Sequence, residues 1–325
     1  KGPVRCMSMS PDGGQYLVSG GDDGTVRLWE VDTAYCRYIW NIGKLTNTTD
    51  KNGKVTTATE AISSLSWNPN ASHHIVAVSV GSRVVFISTG TGDADSSEIT
   101  DTLLNGVSSI AETVEEVDSD VEVDADTEAG TDSKDKNSKA IKWIDLKGKD
   151  TVSTVTHVGP RIELQFPTRV VQIAWHAKGD YLGSVTVADM VTTSEARSIS
   201  VHQLSKGRTQ YPFRKSPGRV QAILFHPNRP FLFVVTQQHI KVYHLIEQKL
   251  MKKLASNCKW LSSIDVHHSG DHVVVGSYDR RVVWFDLDLS STPYKTLKFH
   301  EKAVRCVQFH KRYPLMASAS DDGSI

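Results

Sequence analysis

The chain has 325 residues, of which 39% are hydrophobic, 8% aromatic and 23% charged; this excludes a wholly disordered polypeptide and supplies enough apolar mass for one large β domain or two smaller ones. No stretch approaches 18 consecutive apolar residues and no apolar h-region opens at Lys1, so neither a membrane span nor a signal peptide is expected. The 37 basic and 37 acidic residues cancel only in sum, because 15 acidic residues and one lysine (Lys134) lie between Asp93 and Asp135, leaving 36 basic and 22 acidic residues elsewhere, a formal excess of 14.

Taken in chain order, one pattern recurs six times. A first strand begins at Val4, Ile62, Val170, Val220, Leu261 and Val304, with apolar residues at its first, fourth and sixth positions, and runs into a Ser, Asn or His turn that mostly contains Pro or Gly. A second apolar strand follows at Tyr16, Ile75, Tyr181, Phe231, His272 and Leu315. Third strands are predicted over Thr25–Glu30, Arg83–Ile87, Ser198–Gln203, His239–Tyr243 and Arg281–Asp286, and the sixth repeat breaks off at Ile325. The starts at 220, 261 and 304 are separated by 41 and 43 residues, the period of a four-stranded propeller blade. The second repeat is lengthened by the acidic run, whose lack of aromatic residues and high charge predict a disordered insertion over 93–135; it is either a tolerated solvated loop or an acidic tail that competes with phosphates for the basic body or recruits a basic partner.

Ser19-Gly20-Gly21-Asp22-Asp23-Gly24-Thr25-Val26-Arg27-Leu28-Trp29 resembles the WD-repeat signature, and Ser318-Ala319-Ser320-Asp321-Asp322-Gly323 resembles its beginning. The fold class that follows is all-β, a WD40 β-propeller spanning residues 1–325, with five complete repeats and part of a sixth. That signature implies a structural hydrogen-bond network involving Ser19, Asp23 and Trp29 in the first repeat, Asp279 in the fifth, where Phe285 replaces the tryptophan, and His300, Ser318 and Asp322 in the sixth.

More specific strings run through the second half: Tyr211-Pro212-Phe213-Arg214-Lys215, Phe225-His226-Pro227-Asn228-Arg229-Pro230-Phe231, Asn257-Cys258-Lys259-Trp260, Gly276-Ser277-Tyr278-Asp279, Val283-Trp284-Phe285-Asp286 and Phe309-His310-Lys311-Arg312-Tyr313-Pro314. They resemble the block-of-proliferation family of eukaryotic ribosome biogenesis proteins. The resemblance implies a C-terminal, seven-bladed propeller of a nuclear and nucleolar assembly factor for the large (60S) ribosomal subunit. Its implied partners are pescadillo, chiefly through an N-terminal region lying before Lys1, a second WD-repeat protein, and the pre-60S particle with its pre-rRNA. It also implies that the end of the sixth blade and a seventh lie beyond Ile325.

No P-loop, GxGxxG, HExxH or GxSxG pattern occurs, so no catalytic residue, metal or cofactor is expected. His176, His226, His267 and His310 recur at one repeat position and are read as turn-stabilising, since ligands to one metal must converge in space. Cys6 and Cys306 also share a repeat position and are read as buried small hydrophobes. The better lead is the run 206–219, where Lys206, Arg208, Arg214, Lys215 and Arg219 interleave with Tyr211 and Phe213, a combination suited to phosphate contact and base stacking in RNA. Lys259, with Lys249, Lys252 and Lys253, and Arg305, with Lys298 and Lys302, lie in corresponding inter-blade regions and extend it. Arg27, Tyr35, Arg37, Tyr38 and Trp40 form a candidate protein-binding edge, because Arg, Tyr and Trp anchor interfaces. The rival reading, a substrate receptor in ubiquitin ligation or a peptide reader on chromatin, requires a charged central cavity and no RNA affinity.

Overall fold

The computed structural model describes residues 2–49, 55–105, 141–146, 158–187, 198–213, 219–311 and 313–325. These fall into two compact units, one from residues up to 187 together with Val201–Gln210, the other chiefly Tyr211–Ile325.

The first unit begins with an antiparallel sheet of β1 (Val4–Met9), β2 (Tyr16–Gly21), β3 (Thr25–Glu30) and β4 (Tyr35–Asn41), in that spatial order. A hairpin of β5 (Leu45–Thr49) and β6 (Val55–Thr59), which the repeat pattern does not predict, leads to the second sheet. There β7 (Ile62–Trp67), β8 (Ile75–Val80) and β9 (Arg83–Ser88) are in order, and helix α1 (Ala94–Asn105) follows. The chain then returns through β10 (Lys142–Asp145) and β11 (Gly159–Gln165), and β11 pairs with β9 while β10 forms the edge. The acidic run therefore separates the third strand of this sheet from the fourth. The third sheet is β12 (Val170–Trp175), β13 (Tyr181–Thr186), β14 (Ile199–Gln203) and β15 (Arg208–Gln210).

The second unit repeats the plan in β16 (Val220–Phe225), β17 (Phe231–Thr236), β18 (His239–His244) and β19 (Lys249–Ala255), and again in β20 (Leu261–Val266), β21 (His272–Ser277), β22 (Val282–Asp286) and β23 (Lys295–Leu297). It ends with the pair β24 (Val304–Phe309) and β25 (Met316–Ser320). The second strand of each of the first five sheets lies between two others, so β8 is buried along its whole length and Val273, Val274 and Val275 of β21 are buried in succession. That burial is why these strands read as continuous apolar runs.

A bulge recurs in all six first strands at their second residue, with register shifts at Val4/Cys6, Ile62/Ser64, Val170/Gln172, Val220/Ala222, Leu261/Ser263 and Val304/Cys306. Such a bulge re-aims the extra side chain, and here it turns Arg5 onto Asp22 and Arg305 onto Asp321.

The four repeat-position histidines share one contact. The Nδ1 atoms of His176, His226, His267 and His310 accept backbone N–H groups two or three residues on, from Lys178, Asn228 and Arg229, Ser269, and Tyr313. His226 also reaches the next sheet, with Nε2 3.0 Å from the carbonyl of Gly270, as Asn68 does by donating to Gly179 over 2.8 Å. Both glycines have positive φ, +77° and +92°, and a Cβ on either would lie 2.2 Å from the Asn68 or His226 side chain. The turn therefore requires glycine there for conformation and for space.

Two expectations are corrected. The acidic segment is not disordered from its first residue. Asp93 caps α1 by accepting the Ser96 N–H over 3.0 Å, Thr100 and Leu104 are buried, and Asp101 pairs over 2.6 Å with Arg161, itself 2% exposed. A buried guanidinium needs such partners, Asp101 and Asn105, and the helix supplies them; residues 106–135 lie outside the described residues. Cys6 is partly buried, its thiol pushed up to about 11 by desolvation, but Cys306 is exposed because the second and third residues of β24 both face solvent.

Candidate nucleic-acid interface

The residues predicted from the 206–219 run are dispersed. Lys206 sits in the β14–β15 turn and Arg208 starts β15, whereas Phe213, half-buried, packs on Tyr243 at 4.6 Å between ring centroids. Tyr211 is half-buried, and Arg214 and Lys215 lie outside the described residues. Arg219, however, joins one row within the second unit, and Lys259 lines a hollow beside that row.

That row is set by the repeat. The residue before each first strand and the turn between second and third strands meet at the same end of a sheet, so Arg219 precedes β16, Trp260 precedes β20 and Tyr278 stands in the β21–β22 turn. The Arg219 guanidinium carbon lies 5.8 Å from the Trp260 ring centroid, Trp260 meets Tyr278 edge to face at 6.1 Å, and the Arg305 guanidinium carbon is 5.1 Å from the Tyr278 centroid. Each contact has cation–π or edge-to-face geometry. Trp260 and Tyr278 remain 38% and 41% exposed. Arg305 is fixed by Asp321, whose carboxylate it grips through Nε at 2.8 Å to both oxygens, and that hydrogen bond raises the guanidinium above its ordinary value.

Two shallow hollows flank the row. One is lined by Lys259, Arg280 and Arg281 with Tyr278; Asp279 at its side accepts the Lys259 backbone N–H over 2.5 Å. The other is lined by Arg219, His239, Lys241 and Lys253. Burial first, then Lys253 and Lys241, hold the His239 imidazole below its ordinary value. Arg280 has φ +66°, in the turn position that Gly24 and Gly323 fill at +70° and +83°. An arginine held there costs on the order of 1 kcal/mol of backbone strain.

The other predicted clusters are only partly assembled. Lys252 is tied to the Leu287 carbonyl and Lys249 lies near Glu247. Along β4, exposure alternates: Tyr35, Arg37 and Ile39 point outward, while Tyr38 and Trp40 stack on each other at 5.6 Å and pack against the core around Val18, Val26 and Leu28. Arg27 turns inward onto Asp23 at 3.2 Å. In the WD signature, Trp29 Nε1 donates to Ser19 Oγ over 2.9 Å, while Asp23 accepts from Thr25 instead. His300 joins Ser318 at 2.7 Å and Asp322 at 3.3 Å. Sequence reading missed a further network, in which Ser184, His202 and Thr209 of the third sheet and Trp143 of β10 in the second are linked by contacts of 2.9 to 3.0 Å.

Trp260, Tyr278, Arg280 and Arg281 were also missed as site residues. Their signal lies in the repeat alignment: Tyr278 and Arg280 replace the aspartate and glycine of Asp22-Asp23-Gly24 and Asp321-Asp322-Gly323. Among the described residues no group of three or more His, Cys, Asp or Glu converges on a metal position, and no helix is long and apolar enough to cross a membrane.

Four-stranded antiparallel sheets, recurring bulges and Asp-containing turns define this chain as a WD-repeat β-propeller protein. The family described as WD domain, G-beta repeat matches residues 1–30, 248–286 and 291–325. The chain is 44% identical to "Ribosome biogenesis protein bop1" of Danio rerio and 40% identical to "Ribosome biogenesis protein BOP1" of Rattus norvegicus and of Homo sapiens, each over 322 residues and 99% of this chain. It spans 35%, 37% and 36% of those relatives, about a third of their length. The resemblance to the block-of-proliferation family carried by the second-half strings is thus shown along almost the entire chain.

Proposed function

We propose that this chain is a non-catalytic platform in biogenesis of the large ribosomal subunit, acting in pre-rRNA processing by holding assembly-factor proteins and pre-rRNA in the nucleolus and nucleoplasm. The observation that carries this reading is the similarity, over 99% of the chain, to proteins named for ribosome biogenesis. The cationic and aromatic row in the second unit supports the RNA part. A second WD-repeat protein and the pre-60S particle are the proposed partners, with pescadillo assigned chiefly to the family's N-terminal region. The mechanism is multivalent placement: several weak phosphate and protein contacts on a rigid sheet framework raise effective concentration without bond making or breaking.

Purification of the tagged full-length protein from nuclei at low salt, with sequencing of bound RNA and mass spectrometry of bound proteins, tests the reading. Large-subunit precursor RNA together with pescadillo is the expected outcome. Ubiquitin-ligase subunits or histones without rRNA would overturn it.

A further inference from the structure

We infer that the row Arg219–Trp260–Tyr278–Arg305 is a stacking platform for an unpaired RNA strand, with Lys259, Arg280 and Arg281 serving the phosphates beside it. This rests on the proposed RNA contact and specifies its place and mode. Three observations converge on it.

The first is the order of the row, two adjacent rings with an arginine against each end, at 5.8, 6.1 and 5.1 Å. An unpaired strand offers open base faces to the rings and phosphates to the flanking cations, and aromatic rings with arginine planes bind such strands with little sequence preference. A-form duplex offers no base face, since its bases are stacked inside and proteins meet phosphates and 2′-hydroxyls. A row made for duplex would need cations and polar groups without open rings.

The second is exposure. Trp260 and Tyr278 are 38% and 41% exposed, while Trp67, Trp175 and Phe285 pack at 5%, 8% and 0%. Leaving a large ring in water forgoes burial energy that the other sheets collect.

The third is the Arg280 backbone. A glycine would satisfy the φ of +66° without strain, as Gly24 and Gly323 do in the equivalent turns. The chain instead holds a long cation beside Lys259, Tyr278 and Arg281, and strain retained at a surface position points to use of the side chain. Stability alone would favour glycine there.

The test uses the full-length protein and two fluorescent RNAs, a 12-nucleotide single strand and a duplex of the same sequence, with anisotropy read at two salt concentrations. The wild type is expected to prefer the single strand by about tenfold, and Trp260→Ala and Tyr278→Ala to lose about five- to tenfold each in single-strand affinity. Arg280→Gly is expected to weaken binding and flatten its salt dependence while melting no lower than the wild type, which separates function from folding. Tyr35→Ala, on the β4 edge, is expected to bind unchanged. Single-strand affinity insensitive to Trp260→Ala, or equal affinity for duplex, would overturn the platform and leave the RNA reading standing. A wild-type protein that binds neither RNA would overturn both.

Discussion

The outer strand of the first sheet, β4, and the row at the head of β16, β20 and β24 both combine arginine with tyrosine and tryptophan, yet use them differently. On β4 the strand period of two sends Tyr38 and Trp40 into the core and leaves Tyr35 and Ile39, 64% and 57% exposed, on the outside. Arg37 then lies 5.9 and 5.8 Å from the Tyr16 and Tyr38 centroids, rings already committed to packing. In the second unit the aromatic residues stand before a strand and in a turn, where no period forces them inward. Residue type alone does not distinguish a packing residue from a contact residue; position in the repeat does.

Titration gives the widest separation between interior and surface. Burial holds His202 down to about 3 against an ordinary 6.5. The unfolded chain therefore takes up a proton that the folded chain refuses, so stability is intact above pH 6.5 and falls as pH drops toward 3, by on the order of 5 kcal/mol in full. His226 and His176 are also lowered by burial and add in the same direction. The denaturation midpoint followed from pH 7 to pH 4 is expected to fall, and His202→Gln to show a shallower fall.

Among tryptophans, Trp40→Ala is expected to cost about 2 to 3 kcal/mol in chemical denaturation, because it opens space against the first core. Trp260→Ala is expected to cost less than about 1 kcal/mol, since the ring is partly exposed. Equal losses would erase the contrast between the two surfaces. Gly270→Ala is expected to cost about 2 kcal/mol, because a Cβ there meets the His226 ring at a φ of +92°. Arg280→Gly is expected to gain on the order of 0.5 to 1 kcal/mol by releasing strain. Tyr35→Ala is expected to stay within about 0.5 kcal/mol of the wild type.

Much of the framework was legible beforehand because it depends on local period. All six first strands begin where the apolar pattern places them, from Val4 to Val304, and the shared histidines make the turn contacts their position implies. The fold class was legible in the same repeats. Helix α1 was hidden because its stability comes from Arg161, 56 to 60 residues away, rather than from an apolar stripe. Strands β10 and β11 were hidden by the insertion that divides them from β9. The row in the second unit escaped because it is assembled from three separate sheets, and linear charge density pointed to 206–219, whose Phe213 is spent on Tyr243.

The most direct measurement is ultraviolet crosslinking of the tagged full-length protein to RNA in cells, with mass spectrometry locating the crosslinked residues. Crosslinks at Trp260 or Tyr278 carrying large-subunit precursor RNA are the expected result. Crosslinks confined to the β4 edge, or RNA without large-subunit precursor sequence, would contradict it.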